Sequence, residues 1–380
     1  MSLDGMYLGR YHLLHVLGSG GMGEVYLADD TRIKRRVAVK VVRNDAPIYR
    51  AKENVQKSTQ LFEREMHAIA ALDHPAILPL FDYGEQEVNG DTLTYMVMPY
   101  RPEGSLYQWL RARDEDDPLS VEDVSRFISQ AAEALQHAHN KGIVHQDVKP
   151  DNFLLRIRPE QPMLPDLLLA DFGVARSLFV TSHTSQTIRG TLTYMAPEQW
   201  DGHPVFATDQ YALAIMAYEL LVGQPPFDGA PGQIMYKHMT LPPEPPSRLN
   251  SSIPPGIDAV LLRALAKQPE ARFPSVAAFS QAFQQAWQAS SSGKLPWLVS
   301  SAHLSEDDSL APVHLALMEH SAPTIAIKGD RTPLPKDAVT PLPYQRFQPA
   351  LDFSTRKMTL IFLFVLVLLV GALAGRMRLP

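Results

Sequence analysis

The sequence predicts an α+β architecture, a small β-rich part followed by a larger helical one, either as two domains or as one bilobed unit, with a tether and a single membrane-crossing helix after it. Three observations carry this expectation. Strand-period alternation and a hairpin signal occupy the first hundred residues, helix-period apolar faces take over from Val121, and one uncharged apolar run occupies residues 358–375.

Residues 36–42 alternate, with Val37, Val39 and Val41 on one face and Ala38, Lys40 and Val42 on the other. Asn89-Gly90 separates an apolar run ending at Val88 from a second run at 93–98, the signature of a tight antiparallel hairpin. Residues 62–72, including Glu65, interrupt this sheet as a helix. Further along, Phe127, Ile128, Ala131, Ala132 and Leu135 trace one helical face. Residues 211–221 are apolar nearly all round but too short to span a bilayer, which places them in a core helix. Residues 295–355 keep no period, and eight of the 32 prolines fall between 295 and 350. Within that stretch Thr-Pro-Leu-Pro occurs at 332–335 and again at 340–343, which reads as a stiff, extended tether.

The 380 residues are 45% apolar and 20% charged, globular values that exclude a wholly disordered or fibrous chain. Thirty-five basic against 41 acidic residues leave no basic excess, so no nucleic-acid partner is expected. The absence of cysteine rules out disulfides, thiolate metal sites and a cysteine nucleophile. As a helix, residues 358–375 span roughly 27 Å, close to the hydrocarbon thickness of a bilayer. Arg356 and Lys357 before the run balance Arg376 and Arg378 after it, so flanking charge sets no orientation. The N-terminus lacks the pattern of a secretory signal.

The chemistry sits in four places. Leu17-Gly18-Ser19-Gly20-Gly21-Met22-Gly23 contains GxGxxG, and Val25 to Ala28 after it reads as a second strand, not as the helix of a dinucleotide site. A glycine hairpin of this kind lets backbone approach phosphates closely. Lys40 follows on an apolar strand and shares a face with small Ala38, with Glu65 as its candidate partner. In His145-Gln146-Asp147-Val148-Lys149-Pro150-Asp151-Asn152, Asp147 is suited to orient a hydroxyl and take its proton. Lys149 is suited to offset phosphoryl charge, and Asn152 to bind a metal. Asp171-Phe172-Gly173 follows an apolar strand, with Asp171 as a hard-oxygen ligand for Mg²⁺. His137 and His139 point to different helix faces and are not read as a metal pair.

This ordered set resembles the protein kinase family, and in particular the eukaryotic-like (Hanks-type) bacterial serine/threonine kinases. The resemblance covers about residues 11–283. It implies the two-lobed kinase fold, with Val25, Ala38 and Leu154 around adenine, Met98 as gatekeeper, and a hinge from Pro99 to Arg101. It further implies that Asp209 anchors the catalytic loop and that Glu198 of Ala196-Pro197-Glu198 pairs with Arg272. Lys149 and Thr191 match the serine/threonine pattern, not the tyrosine one. Two departures stand out. Gln146 occupies a position where the family usually has arginine, so the loop at 177–189 is expected to order without full phosphorylation, although Thr181, Ser182, Thr184, Ser185 and Thr187 are candidate autophosphorylation sites. The interval from Asp147 to Asp171 is long, which a longer surface hairpin explains.

The boundaries expected are an N-terminal extension at 1–10 and a kinase domain at 11–285, with its small lobe at 11–98, hinge at 99–101 and large lobe at 102–285. A linker at 286–357, a membrane helix at 358–375 and a tail at 376–380 follow. The activity expected is transfer of the ATP γ-phosphoryl group to protein serine or threonine hydroxyls, with Mg²⁺ or Mn²⁺ as cofactor. The other partners expected are protein substrates, the membrane through the C-terminal helix, and a second copy in a homodimer. The expected location is the cell membrane, single-pass, with the kinase domain cytoplasmic. The rival expectation is a pseudokinase that binds ATP as a scaffold with little catalysis.

Overall fold

The computed structural model describes residues 2–20, 23–43, 66–88, 90–113, 119–172 and 192–291, all inside one compact unit, Met1–Ser305. The small lobe is a six-stranded antiparallel sheet of order β1-β2-β3-β4-β6-β5. Its strands are β1 (Tyr7–Leu8), β2 (Tyr11–Gly20), β3 (Gly23–Asp30), β4 (Arg35–Arg43), β5 (Asp82–Val88) and β6 (Asp91–Pro99). The alternation in β4 sorts as its sequence requires. Val37, Val39 and Val41 enter the core beside Leu8, Tyr11, Leu13, Tyr26 and Val97, while Ala38 and Lys40 lie on the opposite face. Leu3 joins the same core with Leu8, and Met6 packs against it, so residues 2–10 are part of this lobe. Val88 pairs with Asp91 across a two-residue turn in which Gly90 has φ 90°, a left-handed value that glycine takes without steric cost. Residues 66–70 are helical, Met66 is fully buried, and the helix ends before Ala71 and Leu72, short of the expected bound at 72; residues 62–65, Glu65 among them, lie outside the described residues.

The large lobe opens with α1 (Leu106–Arg111), capped by Ser105, and α2 (Val121–Asn140), whose N-cap Ser120 accepts from Asp123 N. Phe127, Ile128, Ala131, Ala132 and Leu135 form the buried face of α2. Strands β7 (Phe153–Arg158) and β8 (Gln161–Leu169) make a two-stranded antiparallel hairpin, which accounts for the long interval before Asp171. Short α3 (Pro197–Trp200) precedes α4 (Phe206–Val222), which is buried along almost its whole length and ends at left-handed Gly223. Helices α5 (Pro231–Thr240), α6 (Pro246–Leu249), α7 (Pro255–Ala264) and α8 (Val276–Ser291) complete the lobe. The residues expected in α2 and α4 meet in one core with Phe279 and Phe283 of α8. No helix among the described residues is long and apolar enough to cross a membrane, and residues 358–375 lie outside them.

One ion pair, of buried Arg272 with half-buried Glu198, ties this lobe together. Arg272 Nη1 and Nη2 donate to Glu198 Oε1 and Oε2 at 2.7 and 2.8 Å, and the guanidinium also reaches the carbonyls of Ala207, Ala266 and Lys267. Burial alone raises a carboxyl pKa, but the guanidinium outweighs it and holds Glu198 below its ordinary value. The lowered pKa fixes the sign of the linkage: its stabilisation is present above the ordinary pKa of 4.5 and is lost as pH falls through the lower folded-state value. Removing Arg272 strands a carboxylate whose side chain is only 11% exposed, so Arg272→Ala is expected to cost about 3 kcal/mol in urea unfolding at neutral pH. The gap from wild type should close in acid; a constant gap across pH 3–7 would contradict the assignment.

Candidate active site

Two chain segments meet between the lobes, and each holds one charged group in place. In the small lobe, β2 and β3 pair Gly18 with Val25, Ser19 with Glu24 and Gly20 with Gly23, so the glycine segment is a strand-turn-strand hairpin. Gly21 and Met22, between Gly20 and Gly23 in the sequence, lie outside the described residues. Leu17 is exposed beside a register shift between Val16 and Gly18. Gly23 has φ 123°, and a Cβ there would stand 2.1 Å from Val41 O, so both conformation and space demand glycine. In the adjoining register Val25 faces Lys40 and Ala38 faces Met98. Pro99 closes the β4–β6 ladder opposite Val37, at a strand end where a missing N–H is tolerated.

Lys40 is buried, and its Nζ lies 2.9 Å from Asp171 Oδ1. That carboxylate is the partner which the structure gives the lysine; Glu65, the partner expected from sequence, is outside the described residues. Lys40 and Asp171 line one cavity together with Leu78, Met96, Met98 and Phe172. Next to it, Met98 and Leu154 pack on the buried apolar cluster of Leu78, Leu168 and Ala170. Arg101 lies beyond the strand end, with its Nε buried and, among the described residues, without a hydrogen-bond partner. Leu155 N donates to Gly104 O, which fastens the exit from the hinge to β7.

In the large lobe, Asp147 Oδ2 accepts from Lys149 Nζ at 2.8 Å and from Asn152 Nδ2 at 2.9 Å, and Asn152 Nδ2 also donates to Asp147 O at 2.7 Å. Both hydrogens of the Asn152 amide are thereby committed to Asp147, so its carbonyl oxygen is the atom left to accept or to ligate. Burial raises the pKa of neighbouring Asp151.

His145 joins the two segments. It is fully buried, accepts from Asp147 N at Nδ1 (3.3 Å), and meets Ala170 O with Nε2 at 3.0 Å. A carbonyl oxygen can only accept, so Nε2 carries the proton and Nδ1 does not: the ring is neutral. Burial, which lowers its pKa, agrees. Its ring also packs 4.8 Å from that of Phe172. Ala170 N donates to Asn152 O at 2.8 Å, a second tie between the residue before Asp171 and the Asp147 loop. Asn152 does not line the cavity of Lys40 and Asp171; these two bonds are what connect it to them.

Beneath the loop, fully buried Asp209 of α4 accepts from His145 N (2.8 Å) and Gln146 N (2.7 Å), and its Oδ2 meets His139 Nε2 at 2.8 Å. Gln146 and Asp171 are non-glycine residues with left-handed φ, 66° and 58°. Such conformations cost about 1–3 kcal/mol each and persist only where surrounding bonds over-determine them. Here the bonds come from Asp209 and from Lys40. The His137 ring lies 5.2 Å from that of His74, tilted by 35°, away from His139's bond to Asp209. Among the described residues no group of three or more His, Cys, Asp or Glu could hold a metal ion. Asp171 and Asn152 offer hard oxygens of the kind that hold Mg²⁺ when phosphates and waters complete the shell.

Sequence reasoning did not find Gln199, whose Nε2 donates to Gln146 O at 2.9 Å. It also gave no role to His145. Neither contact leaves a local signal, because each joins segments far apart in the chain.

A family model described as protein kinase domain matches residues 11–288. Serine/threonine-protein kinase PknB of Mycolicibacterium smegmatis is 39% identical over 276 residues, 70% of this chain and 41% of that protein. Serine/threonine-protein kinase Pkn1 of Myxococcus xanthus is 39% identical over 292 residues, 75% of this chain and 39% of its own length. The chain thus spans about two fifths of the length of these curated relatives. The crystal structure of the Mycobacterium tuberculosis PknI kinase domain aligns with a TM-score of 0.57 at 31% identity, covering 75% of this chain and 98% of that one.

The close approach at Gly23 yields a direct test. Gly23→Ala should destabilise the small lobe by about 1–3 kcal/mol, through a strained φ and a backbone clash, and weaken nucleotide binding. Thermal unfolding and nucleotide titration unchanged from wild type would show that the hairpin tolerates a side chain.

Proposed function

The chain belongs to the protein kinase domain family, and from that premise we propose that it is an active serine/threonine protein kinase. The β-rich small lobe and helical large lobe are those of the protein kinase fold. The observation that carries the reading is the pair of fixed charges on either side of His145, Asp171 with Lys40 and Asp147 with Lys149 and Asn152. A site built this way works by positioning and by charge compensation, which is what phosphoryl transfer requires.

In this reading adenine lies among Val25, Ala38, Met98 and Leu154, with Pro99 and Arg101 at the hinge and the hairpin from Leu17 to Gly23 over the phosphates. Lys40 steadies the phosphates. Asp147 orients the serine or threonine hydroxyl and receives its proton as the oxygen bonds to the γ-phosphorus and ADP departs. Lys149 offsets charge on the phosphoryl group in transit. Asp171 and the carbonyl oxygen of Asn152 would hold Mg²⁺ or Mn²⁺, whose contribution is to neutralise phosphate charge. Protein hydroxyls as acceptors, and serine or threonine over tyrosine, are supported by Lys149 and by the names of the relatives.

Asp147→Asn keeps the shape of the side chain and removes the base. Incorporation of label from γ-radiolabelled ATP into the protein or an added acceptor should fall by about 10²–10⁴-fold, while nucleotide affinity stays near wild type. Equal labelling by both proteins would overturn the reading and favour a nucleotide-binding scaffold.

The proposal extends to a membrane anchor at residues 358–375, with the catalytic domain on the cytoplasmic side, where ATP is found. Its support is the uncharged eighteen-residue apolar run and the basic residues at both ends. The full chain should stay with membranes through alkaline carbonate washing, and a 358–375 deletion should release it; recovery of the full chain in the wash would count against the anchor.

A further inference from the structure

Asp147 acts only if its carboxylate is aimed, and its aim is set by the peptide unit that joins it to Gln146. That unit is held at both ends. Its N–H donates to His145 Nδ1, and its C=O accepts from Gln199 Nε2 at 2.9 Å. The preceding N–H, that of Gln146, is held by Asp209 Oδ1. Gln146 has a left-handed φ of 66°, and a left-handed non-glycine residue has a standing incentive to relax. Rotation of the following peptide is the cheapest way out, and it would swing Asp147 with it. Among these bonds, the one from Gln199 grips the carbonyl end.

Gln199 is itself rigidly placed. Its Oε1 accepts from Ala196 N at 3.0 Å, so the amide has one acceptor and one donor engaged and its orientation is defined. Ala196 and Pro197 are buried, and Glu198 beside it is clamped by Arg272.

We infer that Gln199 is a positioning residue for phosphoryl transfer: by donating to Gln146 O it holds the Gln146–Asp147 peptide in its left-handed setting and makes the aim of Asp147 depend on the segment that leads into α3. The inference rests on the proposed kinase activity and deepens it. It also separates two functions in space. The Lys40–Asp171 pair lies on the other side of His145, so loss of the Gln199 bond should spare nucleotide binding and slow the chemical step.

Gln199→Glu isolates the bond. The carboxylate still accepts from Ala196 N, so the start of α3 keeps its cap, but it cannot donate to Gln146 O and sets an oxygen against that carbonyl. Gln199→Met, of similar length, loses both bonds. With the full chain, ATP and a threonine-containing peptide acceptor, Gln199→Glu should lower kcat about 10–100-fold, since misplacement on the ångström scale costs that much. KM for ATP should stay within about twofold and the unfolding temperature near that of wild type. Gln199→Met should show at least the same fall in kcat. A kcat within about twofold of wild type in either variant, or a KM for ATP that rises as far as kcat falls, would overturn the inference. Asp147→Asn run alongside keeps the two ideas apart. If that variant loses labelling and Gln199→Glu does not, the positioning role fails and the kinase reading stands; if Asp147→Asn labels normally, the kinase reading itself fails.

Discussion

The carboxylate of Asp209, fully buried in the large lobe, is the point from which the catalytic loop is hung. A charge in that environment is tolerable only if donors surround it, and the donors available are the backbone N–H groups of His145 and Gln146 and the ring of His139. The requirement runs both ways. α4 needs those donors to keep Asp209 in its core, and the loop takes an otherwise unfavourable left-handed turn at Gln146 to supply them. Everything that follows in the chain, from Asp147 to Asn152, inherits its position from this exchange.

His145 then carries the constraint toward the nucleotide side. As a neutral ring that accepts at one nitrogen and donates at the other, it joins the Asp147 backbone to the residue before Asp171. A charged ring would lose the acceptor and a smaller side chain would lose both links. Burial, which disfavours the charged form, is thus what makes the connection possible. Asp171 also sits in a left-handed conformation, and the lysine that faces it offsets both its charge and its strain. The two strained residues on the site, Gln146 and Asp171, are therefore each held by a bond from a different element of the fold.

The same economy appears in the scaffold. Glu198 and Arg272 pair in the large lobe next to Gln199, so the segment that touches the catalytic loop is fixed by an ion pair to a buried arginine instead of by its own short helix. A four-residue helix has little intrinsic stability, and tertiary contacts must supply its order.

Much of this was legible in the residues alone. Alternation in 36–42, the Asn89-Gly90 turn, the apolar face of α2 and the all-round apolar α4 are local patterns, and local patterns determine which element forms and which face it buries. The glycine hairpin and the run from His145 to Asn152 are likewise short enough for spacing to announce their chemistry. The pairing of Glu198 with Arg272 and the anchoring by Asp209 came from family resemblance and not from spacing, since nothing near either residue names its partner. Which group Lys40 faces, that His145 bridges the two segments, and that Gln199 reaches Gln146 were decided only in three dimensions. Periodicity and motif spacing act over a few residues, whereas these contacts exist because packing of the lobes brings distant segments to within a hydrogen bond of each other.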